Sequence, residues 1–358
     1  KCPTVNDDGS VNVTVGEATN GYLCKAKDAY GDSYYYRGNI TNNYVKFGKW
    51  GDDIPDVYYG YYSTSDNSYE EYSSLAACQN ASSFNTNCTL VSKAGKEMYW
   101  RIVRINGDGT VRVIYDGTSA HANGESSEDR QIGTSAFNSS YNDNAYVGYM
   151  YGATGASTYA VAHANTNDST IKAYIDNWYK ANILGTANEE YLADNIFCND
   201  RSISSNKPSS SYNNLGYGKN ETAYRWYYGP WESGGYNSSM KLTCPQQNDA
   251  FTVSDTTKGN GALTYPVGLL STDEIVLAGG WSTSNSGYYL YSWREWWASS
   301  PLYFDGYGAP VRYVGSDGNA GYNDYVHHTY GVRPVFNLKA EVLAQGTGTA
   351  SDPYRISS

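Results

Sequence analysis

The residues from 281 to 330 are the part of the sequence whose side chains best suit recognition of another molecule. This segment contains four Trp, nine Tyr, one Phe, two Arg and no Lys, among many Gly, Ser, Asn and Asp residues. Tyr and Trp present rigid rings that carry a polar group, while Ser, Gly and Asn adapt their hydrogen bonds, and antibody paratopes use the same mixture. Trp and Arg also often dominate binding energies. The composition therefore predicts a non-covalent binding surface.

Within this segment we expect many polar and ring-bearing side chains to be exposed, because one small core could not absorb them all. Trp297, Val311, Val314 and residues 332–336 are expected to form the core of a β-sheet instead. The predicted ligand contacts are Tyr288, Tyr291, Trp293, Glu295, Tyr303, Asp305, Tyr307, Arg312, Tyr313, Asp317, Asn319, Tyr322, Asn323, Tyr325 and His327.

Patterns typical of catalytic or metal sites are weak in this chain. The nucleophile spacing Gly-x-Ser-x-Gly does not occur, and the pair His327-His328 has neither a Cys nor an obvious metal-ligand partner nearby in the sequence. Paired acids such as Glu189-Glu190 are usual on the surface of an acidic protein. The four His are too few and too scattered for a structural zinc site. We therefore expect no enzymatic activity, no metal and no cofactor.

The six cysteines predict disulfides. Their number is even, none forms a Cys-x-x-Cys pair, and their order along the chain favours three local bonds, Cys2–Cys24, Cys78–Cys88 and Cys198–Cys244. Each bond would contribute about 2 to 4 kcal/mol by restraining a polar, loop-rich segment. Oxidised cysteines indicate an extracellular or cell-surface location. Six buried, reduced thiols are the alternative.

The charge balance restricts the class of partner. The chain carries 25 basic and 36 acidic residues, a formal net charge of −11, which disfavours nucleic acid and anionic membranes. No apolar run is long enough for a membrane span. The chain begins at Lys1 without a signal-like apolar region, so we expect either a processed product or a domain separated from its anchor.

Alternating apolar and polar residues predict strands in the N-terminal part of the chain, at 11–15, 34–38 and 43–47. Residues 50–96 are interpreted as an insertion. Residues 98–105 and 110–115 alternate on either side of Asn-Gly-Asp-Gly, which predicts a β-hairpin. We divide the chain into N-terminal strands with a disulfide-stapled insertion (1–97), a main domain (98–340) and a closing strand (341–358).

Two helices are predicted in the main domain. Asp168 or Ser169 can cap a helix that continues to about Ile183 and has an apolar stripe. Ser271 and Glu274 form a capping box that opens a shorter helix, which ends at residues 279–280. The long Ser/Asn/Gly/Tyr-rich stretch 202–236 is interpreted as a structured or functional loop. Strands are predicted at 288–291, 296–299, 309–314 and 331–338.

This order of elements carries a family resemblance. Two helices followed by Trp-Trp-Ala-Ser-Ser-Pro (296–301) and then Tyr-Gly-Val-Arg-Pro-Val-Phe (330–336) resemble the C-type lectin-like fold of variable proteins made by diversity-generating retroelements, over residues 98–338. The same ending also resembles bacterial surface proteins, some of which look like pilin-type subunits. In the retroelement family, adenine-directed mutagenesis scatters Asn, Tyr, Asp, Ser and His over a fixed scaffold near the C terminus, and those positions bind the ligand.

The sequence also departs from its relatives in this fold. Variable proteins often end soon after their variable strands, whereas this chain adds about twenty residues. Formylglycine-generating enzymes share the fold but need a late cysteine pair, and no Cys follows Cys244. The Glu-Pro-Asn and Gln-Pro-Asp triplets of calcium-dependent lectins are absent.

The resemblance implies an α+β, C-type lectin-like fold with two helices, small antiparallel sheets and long structured loops. It implies a surface-displayed receptor or adhesin that binds a protein or glycan on another cell or virus. The alternative is a structural subunit of a pilus or surface layer, whose Tyr-rich faces pack against copies of the chain.

Overall fold

A computed structural model describes residues 2–13, 20–62, 69–81, 84–206, 209–227 and 239–357. It confirms the predicted α+β class. The two predicted helices are present, and two short helices of six and four residues were missed because so few residues leave no periodic apolar pattern. The helices in the described residues are α1 (Leu75–Asn80), α2 (Tyr159–Ala162), α3 (Thr170–Asn182) and α4 (Thr272–Ala278).

The strands are short and spread over the whole chain. The first ten are β1 (Thr4–Val5), β2 (Val11–Asn12), β3 (Tyr22–Asp28), β4 (Gly31–Arg37), β5 (Tyr44–Lys49), β6 (Val57–Tyr62), β7 (Tyr69–Tyr72), β8 (Phe84–Val91), β9 (Glu97–Ile105) and β10 (Val111–Gly117). The central ones are β11 (Gly133–Ala136), β12 (Met150–Tyr151), β13 (Asn167–Asp168), β14 (Phe197–Cys198), β15 (Thr222–Ala223), β16 (Ser239–Met240) and β17 (Ala250–Phe251). The last are β18 (Trp296–Pro301), β19 (Tyr303–Phe304), β20 (Pro310–Val314), β21 (Tyr322–Tyr325), β22 (Thr329–Val332) and β23 (Val335–Leu338).

Both predicted helices begin at the predicted caps. The Ser169 hydroxyl accepts a hydrogen bond from the backbone N–H of Lys172 at the start of α3. At α4, Ser271 and Glu274 form the reciprocal capping box, and Gly279 ends the helix with a φ of 125°. These hydrogen bonds join residues three apart and satisfy backbone N–H groups at the helix start. The helix starts can therefore be predicted from the local sequence.

A six-stranded sheet has the order β23-β10-β9-β4-β3, with β5 also paired to β9. The predicted hairpin forms its centre, as β9 and β10. Strands from both sides of the predicted boundary at 97/98 belong to this one sheet. Residues 14 and 15 of the predicted strand 11–15, and residues 207–208 and 228–236 of the predicted loop, lie outside the described residues.

A five-stranded sheet has the order β11-β22-β18-β20-β21. The predicted strand 331–338 is divided between the two sheets, since β22 belongs to this one and β23 to the six-stranded sheet. The prediction of a strand at 288–291 is wrong. Those residues form a buried turn in which the N–H of Tyr291 donates to the carbonyl of Tyr288. The run of four ring-bearing and aliphatic side chains at 288–291 is explained by a turn that is buried on all sides, and not by a strand.

The insertion and the C-terminal tail attach to the rest of the chain in different ways. Strands β7, β6 and β8 form a small sheet next to α1. In the tail, Tyr354 exchanges backbone hydrogen bonds of 2.8 and 2.9 Å with Lys46 and Tyr44 of β5. The tail thus closes on the sheet through isolated bridges and not through the closing strand predicted within 341–358.

All three predicted disulfides are present: Cys2–Cys24, Cys78–Cys88 and Cys198–Cys244. No cysteine is free. Three disulfides fit an extracellular or otherwise oxidising environment. Among the described residues, no helix combines the length and the apolar character that crossing a membrane requires.

The main core includes residues of the six-stranded sheet, α3 and the five-stranded sheet. The Trp100 and Phe336 rings stack at 4.7 Å, and Trp178 of α3 packs within 5.8 Å of Phe336. The core predicted for the aromatic segment is confirmed, because Trp297, Val311 and Val314 are at most 1% exposed and residues 332–336 are buried.

Buried ion pairs join α4 to the six-stranded sheet. The Glu274 carboxylate accepts from Arg112 at 2.6 Å and from Arg104 at 3.2 Å, and Arg104 also pairs with Asp28 at 2.6 Å. Elsewhere in this sheet Asp116 accepts from Arg130 and Arg333, both at 2.8 Å. A buried charge requires such a partner, because removing it from water is costly.

Candidate ligand-binding edge

Three tyrosines form a ladder across the five-stranded sheet. Tyr313 lies opposite Trp297 on one side and opposite Tyr322 on the other. The Tyr313 ring stacks on Tyr330 at 4.3 Å and on Tyr322 at 5.5 Å, with interplanar angles of 12° and 18°. Trp297, completely buried, supports the ladder by an edge contact of 4.8 Å with Tyr330. The rings are thus held rigidly, and exposure increases toward the edge strand β21, where Tyr322 is 42% exposed.

Carboxylates lie at the hydroxyl ends of this ladder. The Tyr330 hydroxyl donates to Asp324 at 2.6 Å, and the Tyr322 hydroxyl donates to Asp317 at 3.4 Å. Burial, together with these carboxylates and Glu295, raises the pKa values of both phenols above their ordinary value. The ladder therefore offers neutral phenols in a negative potential.

A second group of rings lies around the end of β21. Tyr141 stacks on His327 at 4.1 Å and lies 5.6 Å from Tyr307 and 6.2 Å from Tyr325. The Tyr325 hydroxyl donates to Asp305 at 2.9 Å. Tyr307 is the most exposed of these rings, at 62%. We call this tyrosine–histidine group and the ladder together the aromatic edge, whose rings are Tyr141, Tyr307, Tyr313, Tyr322, Tyr325, His327 and Tyr330.

The two groups approach each other at Asp324 and His328. His328 Nδ1 lies 2.6 Å from the carboxylate of Asp324, which also binds Tyr330 of the ladder. The His328 ring is 4.2 Å from the ring of His327. Because β21 is the last strand of its sheet, the aromatic edge presents rings on both sides of an edge strand.

A third ring group and Trp293 lie outside the aromatic edge. Tyr303, on β19, contacts Tyr227 at 5.3 Å and Tyr212 at 6.4 Å. Trp293 is 52% exposed and has a φ of 57°, a left-handed conformation that is uncommon for a bulky residue. The next residue, Arg294, is anchored to Glu128 at 2.8 Å. Strain of this kind is found most often where a residue has a function.

The predicted exposure is wrong for four of the predicted contacts. Tyr288, Tyr291, Arg312 and Asn319 are 0%, 3%, 2% and 8% exposed. Each is used inside the fold: the Tyr288 hydroxyl donates to the carbonyl of Gly318, and Arg312 donates to the carbonyls of Trp226 and Gly321. Asn319 accepts from the N–H of Gly321. These side chains position turns and are not available to a ligand.

The other eleven predicted contacts reach the surface to different degrees. Trp293, Tyr307, Tyr322 and Asn323 are exposed. The partly exposed ones are Glu295, Tyr303, Asp305, Tyr313, Asp317, Tyr325 and His327. Five neighbouring rings were missed. Tyr141, Tyr212 and Tyr227 come from parts of the chain without periodicity, and Tyr141 is 166 residues from its partner Tyr307. Tyr330 and His328 lie next to the predicted contacts but were not included among them.

A polar cleft of about 490 Å³ lies between β8, the loop after β10 and Arg294. In this cleft His121 Nδ1 lies 2.9 Å from Glu125, and Nε2 lies 3.4 Å from the Ser119 hydroxyl. The contacts link a hydroxyl, an imidazole and a carboxylate in the order Ser–His–acid that catalytic triads use. This group was not predicted from the sequence, because His121 stands apart from the other histidines.

The geometry of His121 does not suit a general base. Nε2 is also 2.8 Å from a carboxylate oxygen of Asp129. Burial alone would lower the pKa of His121, but the hydrogen bonds with Asp129 and Glu125 outweigh it and raise the pKa. Because both ring nitrogens face carboxylates that favour the protonated ring, His121 is poorly placed to accept the proton of Ser119. In the described part of the chain, no group of three or more His, Cys, Asp or Glu side chains is arranged to hold a metal ion.

Comparisons with known proteins give one match. No curated protein and no solved structure matches the chain. The model of a family described as a domain of unknown function (DUF6273) matches residues 238–340. This region contains β16, β17, α4 and every strand from β18 to β23. The chain is therefore similar to this family over the part that carries six of the seven rings of the aromatic edge.

Proposed function

We propose that this chain is an extracellular, surface-displayed domain that binds a protein or glycan ligand through the aromatic edge. The observation that carries the proposal is the tyrosine ladder, whose stacked rings are held by a buried Trp and end in the exposed ring of Tyr322. Folding alone does not require this exposure, since the core of the sheet is complete beneath it.

The physical properties of the aromatic edge support this role. Tyr rings supply a large contact area with few rotatable bonds, and here stacking has already removed much of their freedom. Binding through such a surface loses little side-chain entropy. The phenol hydroxyls add hydrogen bonds that a protein or a saccharide can share.

The scaffold expected for such a domain is also part of the proposal. We infer a C-type lectin-like arrangement, in which α3 and α4 precede the strands that carry the ligand contacts. The exposed and partly exposed Asn, Tyr, Asp and His residues of β21 and the following turn are the side-chain types that diversity-generating retroelements introduce. The three disulfides support display outside the cell. The contacts of His121 with Glu125 and Asp129 favour a binding role over catalysis, because they do not suit a general base.

Binding arrays with matched variants test this function. The wild-type protein is applied to arrays of glycans and of surface proteins, together with Tyr322→Ala, Tyr307→Ala and the control Tyr34→Ala. Tyr34 is 41% exposed, close to the 42% of Tyr322, but lies on β4 of the other sheet. We expect both edge variants, and not the control, to lose a wild-type signal. Equal signals from all four proteins would contradict the proposal.

A second candidate function is a structural subunit of a filament or surface layer. The observation that favours it is the position of β21, because an edge strand can pair with a strand of another copy. Analytical ultracentrifugation over a wide concentration range tests it. Assembly that Tyr322→Ala abolishes and Tyr34→Ala retains would favour this role and would argue against a receptor that uses the same edge. A monomer at all concentrations would contradict it.

A further inference from the structure

The charge around the aromatic edge indicates what kind of ligand it fits. Segment 281–330 contains two cationic side chains besides its histidines, and neither is available: Arg294 is bound to Glu128, and Arg312 is 2% exposed and bonded to backbone carbonyls. Its four carboxylates, in contrast, are all partly exposed: Glu295, Asp305, Asp317 and Asp324.

Each carboxylate lies beside a ring of the aromatic edge. Asp317 and Asp324 accept from the hydroxyls of Tyr322 and Tyr330, and Asp305 accepts from Tyr325. The tyrosines respond to this negative potential. Burial is the largest cause of the raised pKa of Tyr313, and the charge of Glu295 is the next. The same potential that disfavours a phenolate favours a cation.

Aromatic ring faces attract cations as well. The face of an aromatic ring is negative, so that an ammonium or guanidinium group placed over it is attracted. The rings of Tyr322 and Tyr307 are 42% and 62% exposed, and each lies next to a carboxylate, Asp317 and Asp305 respectively. A ring and a carboxylate side by side can hold a Lys or Arg side chain by its stem and its charge together.

We propose that the aromatic edge binds a cationic polypeptide segment, whose Lys or Arg side chains lie over Tyr322 and Tyr307 and pair with the neighbouring carboxylates. This rests on the proposed function, namely that the edge is the ligand-binding surface. The net charge of −11 would also accelerate the approach of such a segment. Anionic glycans are disfavoured by the same charges, and neutral glycans would make no use of them.

Titration with charged peptides tests the proposal. Fluorescently labelled deca-lysine, deca-glutamate and a neutral Gly/Ser decamer are titrated with the whole chain at low and at physiological salt, with anisotropy as the signal. We expect deca-lysine to bind at least about tenfold more tightly than the neutral peptide, with an affinity that falls as salt rises. Deca-glutamate should not bind.

Matched charge variants separate specific from general attraction, because any acidic protein attracts a polycation. Asp317→Asn with Asp324→Asn should weaken deca-lysine binding about tenfold. Asp53→Asn with Asp56→Asn removes the same charge from exposed positions between β5 and β6 and should leave the affinity nearly unchanged. Equal losses in the two double variants would overturn the proposal.

Ring variants test the contribution of Tyr322. Tyr322→Leu should weaken binding about 2- to 5-fold, whereas Tyr322→Phe, which keeps the ring, should not. Tyr34→Leu is the control. If deca-lysine does not bind but the arrays show a glycan or neutral protein whose signal Tyr322→Ala removes, the cationic ligand is wrong and the proposed function stands. If neither experiment detects a ligand that depends on Tyr322, both fail.

Discussion

The two larger sheets place polar side chains in opposite situations. In the six-stranded sheet, Arg101, Arg104 and Arg112 project from β9 and β10, are at most 3% exposed and interact with buried carboxylates. In the five-stranded sheet, the polar ends of the tyrosine ladder point to the surface, and exposure increases toward β21.

The difference shows that polar side chains of one sheet stabilise the fold, whereas those of the other are placed where a ligand could contact them. In the six-stranded sheet the charged groups satisfy each other across elements distant in sequence, so little polarity remains for an external partner. In the five-stranded sheet the rings are ordered but their polar groups stay near solvent. We expect substitutions in the first sheet to change stability, and substitutions at the aromatic edge to change binding.

The largest effects on stability are expected at two buried positions, and the first is Glu274→Gln in α4. This change removes the carboxylate that Arg104 and Arg112 share; Arg104 keeps its pair with Asp28, whereas the buried guanidinium of Arg112 loses the carboxylate that it contacts at 2.6 Å. We expect the free energy of unfolding to fall by about 3 to 5 kcal/mol, as measured by urea titration. Glu190→Gln, at an exposed position, is the control and should change it by less than about 0.5 kcal/mol. A small effect of Glu274→Gln would remove the contrast between the sheets.

Trp297→Ala tests the buried support of the ladder. Trp297 is 0% exposed, and its loss leaves a cavity beneath Tyr330 and Tyr313. We expect a destabilisation of about 3 to 5 kcal/mol in the same urea titration. A variant that unfolds at the wild-type midpoint would show that the ladder does not depend on this ring.

A pH experiment tests the difference between two buried histidines. His121 contacts carboxylates, whereas His163 contacts none among the described residues. Burial, reinforced by Arg201, lowers the pKa of His163 well below 6.5, in contrast to the raised pKa of His121. A lowered folded-state pKa means that stability is complete above pH 6.5 and declines as the pH falls below it.

The expected slope for His163 is up to about 1.4 kcal/mol per pH unit below that value. Urea titrations of wild type and His163→Leu between pH 7.5 and 5.5 isolate this contribution, since other groups affect both proteins. The difference in unfolding free energy between the two proteins should shift in favour of the variant as the pH falls. A difference that does not depend on pH would refute the explanation.

The smallest effect on stability is expected for Tyr322→Ala, the exposed end of the ladder. Its ring stacks on Tyr313 and is 42% exposed, so we expect a loss of less than about 1 kcal/mol together with a normal folded spectrum. Trp297→Ala changes a ring two strands away in the same sheet. The difference between the two losses in unfolding free energy measures how much more a buried ring contributes to stability than a ring at the edge. Similar losses for both would show that the edge is structural.

Elements specified by short-range interactions were predictable from the sequence. The caps of α3 and α4 depend on bonds between residues three apart, and the hairpin of β9 and β10 depends on one turn. The three disulfides join neighbouring cysteines in chain order. In each case the partners are close in the chain, so that residue type and spacing suffice.

Exposure within the aromatic segment was only partly predictable. Trp297 and Val311 were assigned to the core correctly, whereas Arg312 and Tyr288 were expected to be exposed and are buried. Arg312 donates to the carbonyl of Trp226, which is 86 residues away in the chain. The sequence around Arg312 therefore could not predict that this distant segment would cover it. Likewise Tyr141 joins Tyr307 only after the chain has folded.

By itself, the sequence determined the fold class, the helix starts, the central hairpin, the cysteine pairing and the concentration of aromatic side chains in segment 281–330. The tertiary structure alone decided which of these rings stack, which reach solvent and which carboxylates lie beside them. The physical reason is that caps, turns and short loops are set by neighbours along the chain. Burial and electrostatic potential are instead set by elements that packing brings together from distant parts of it.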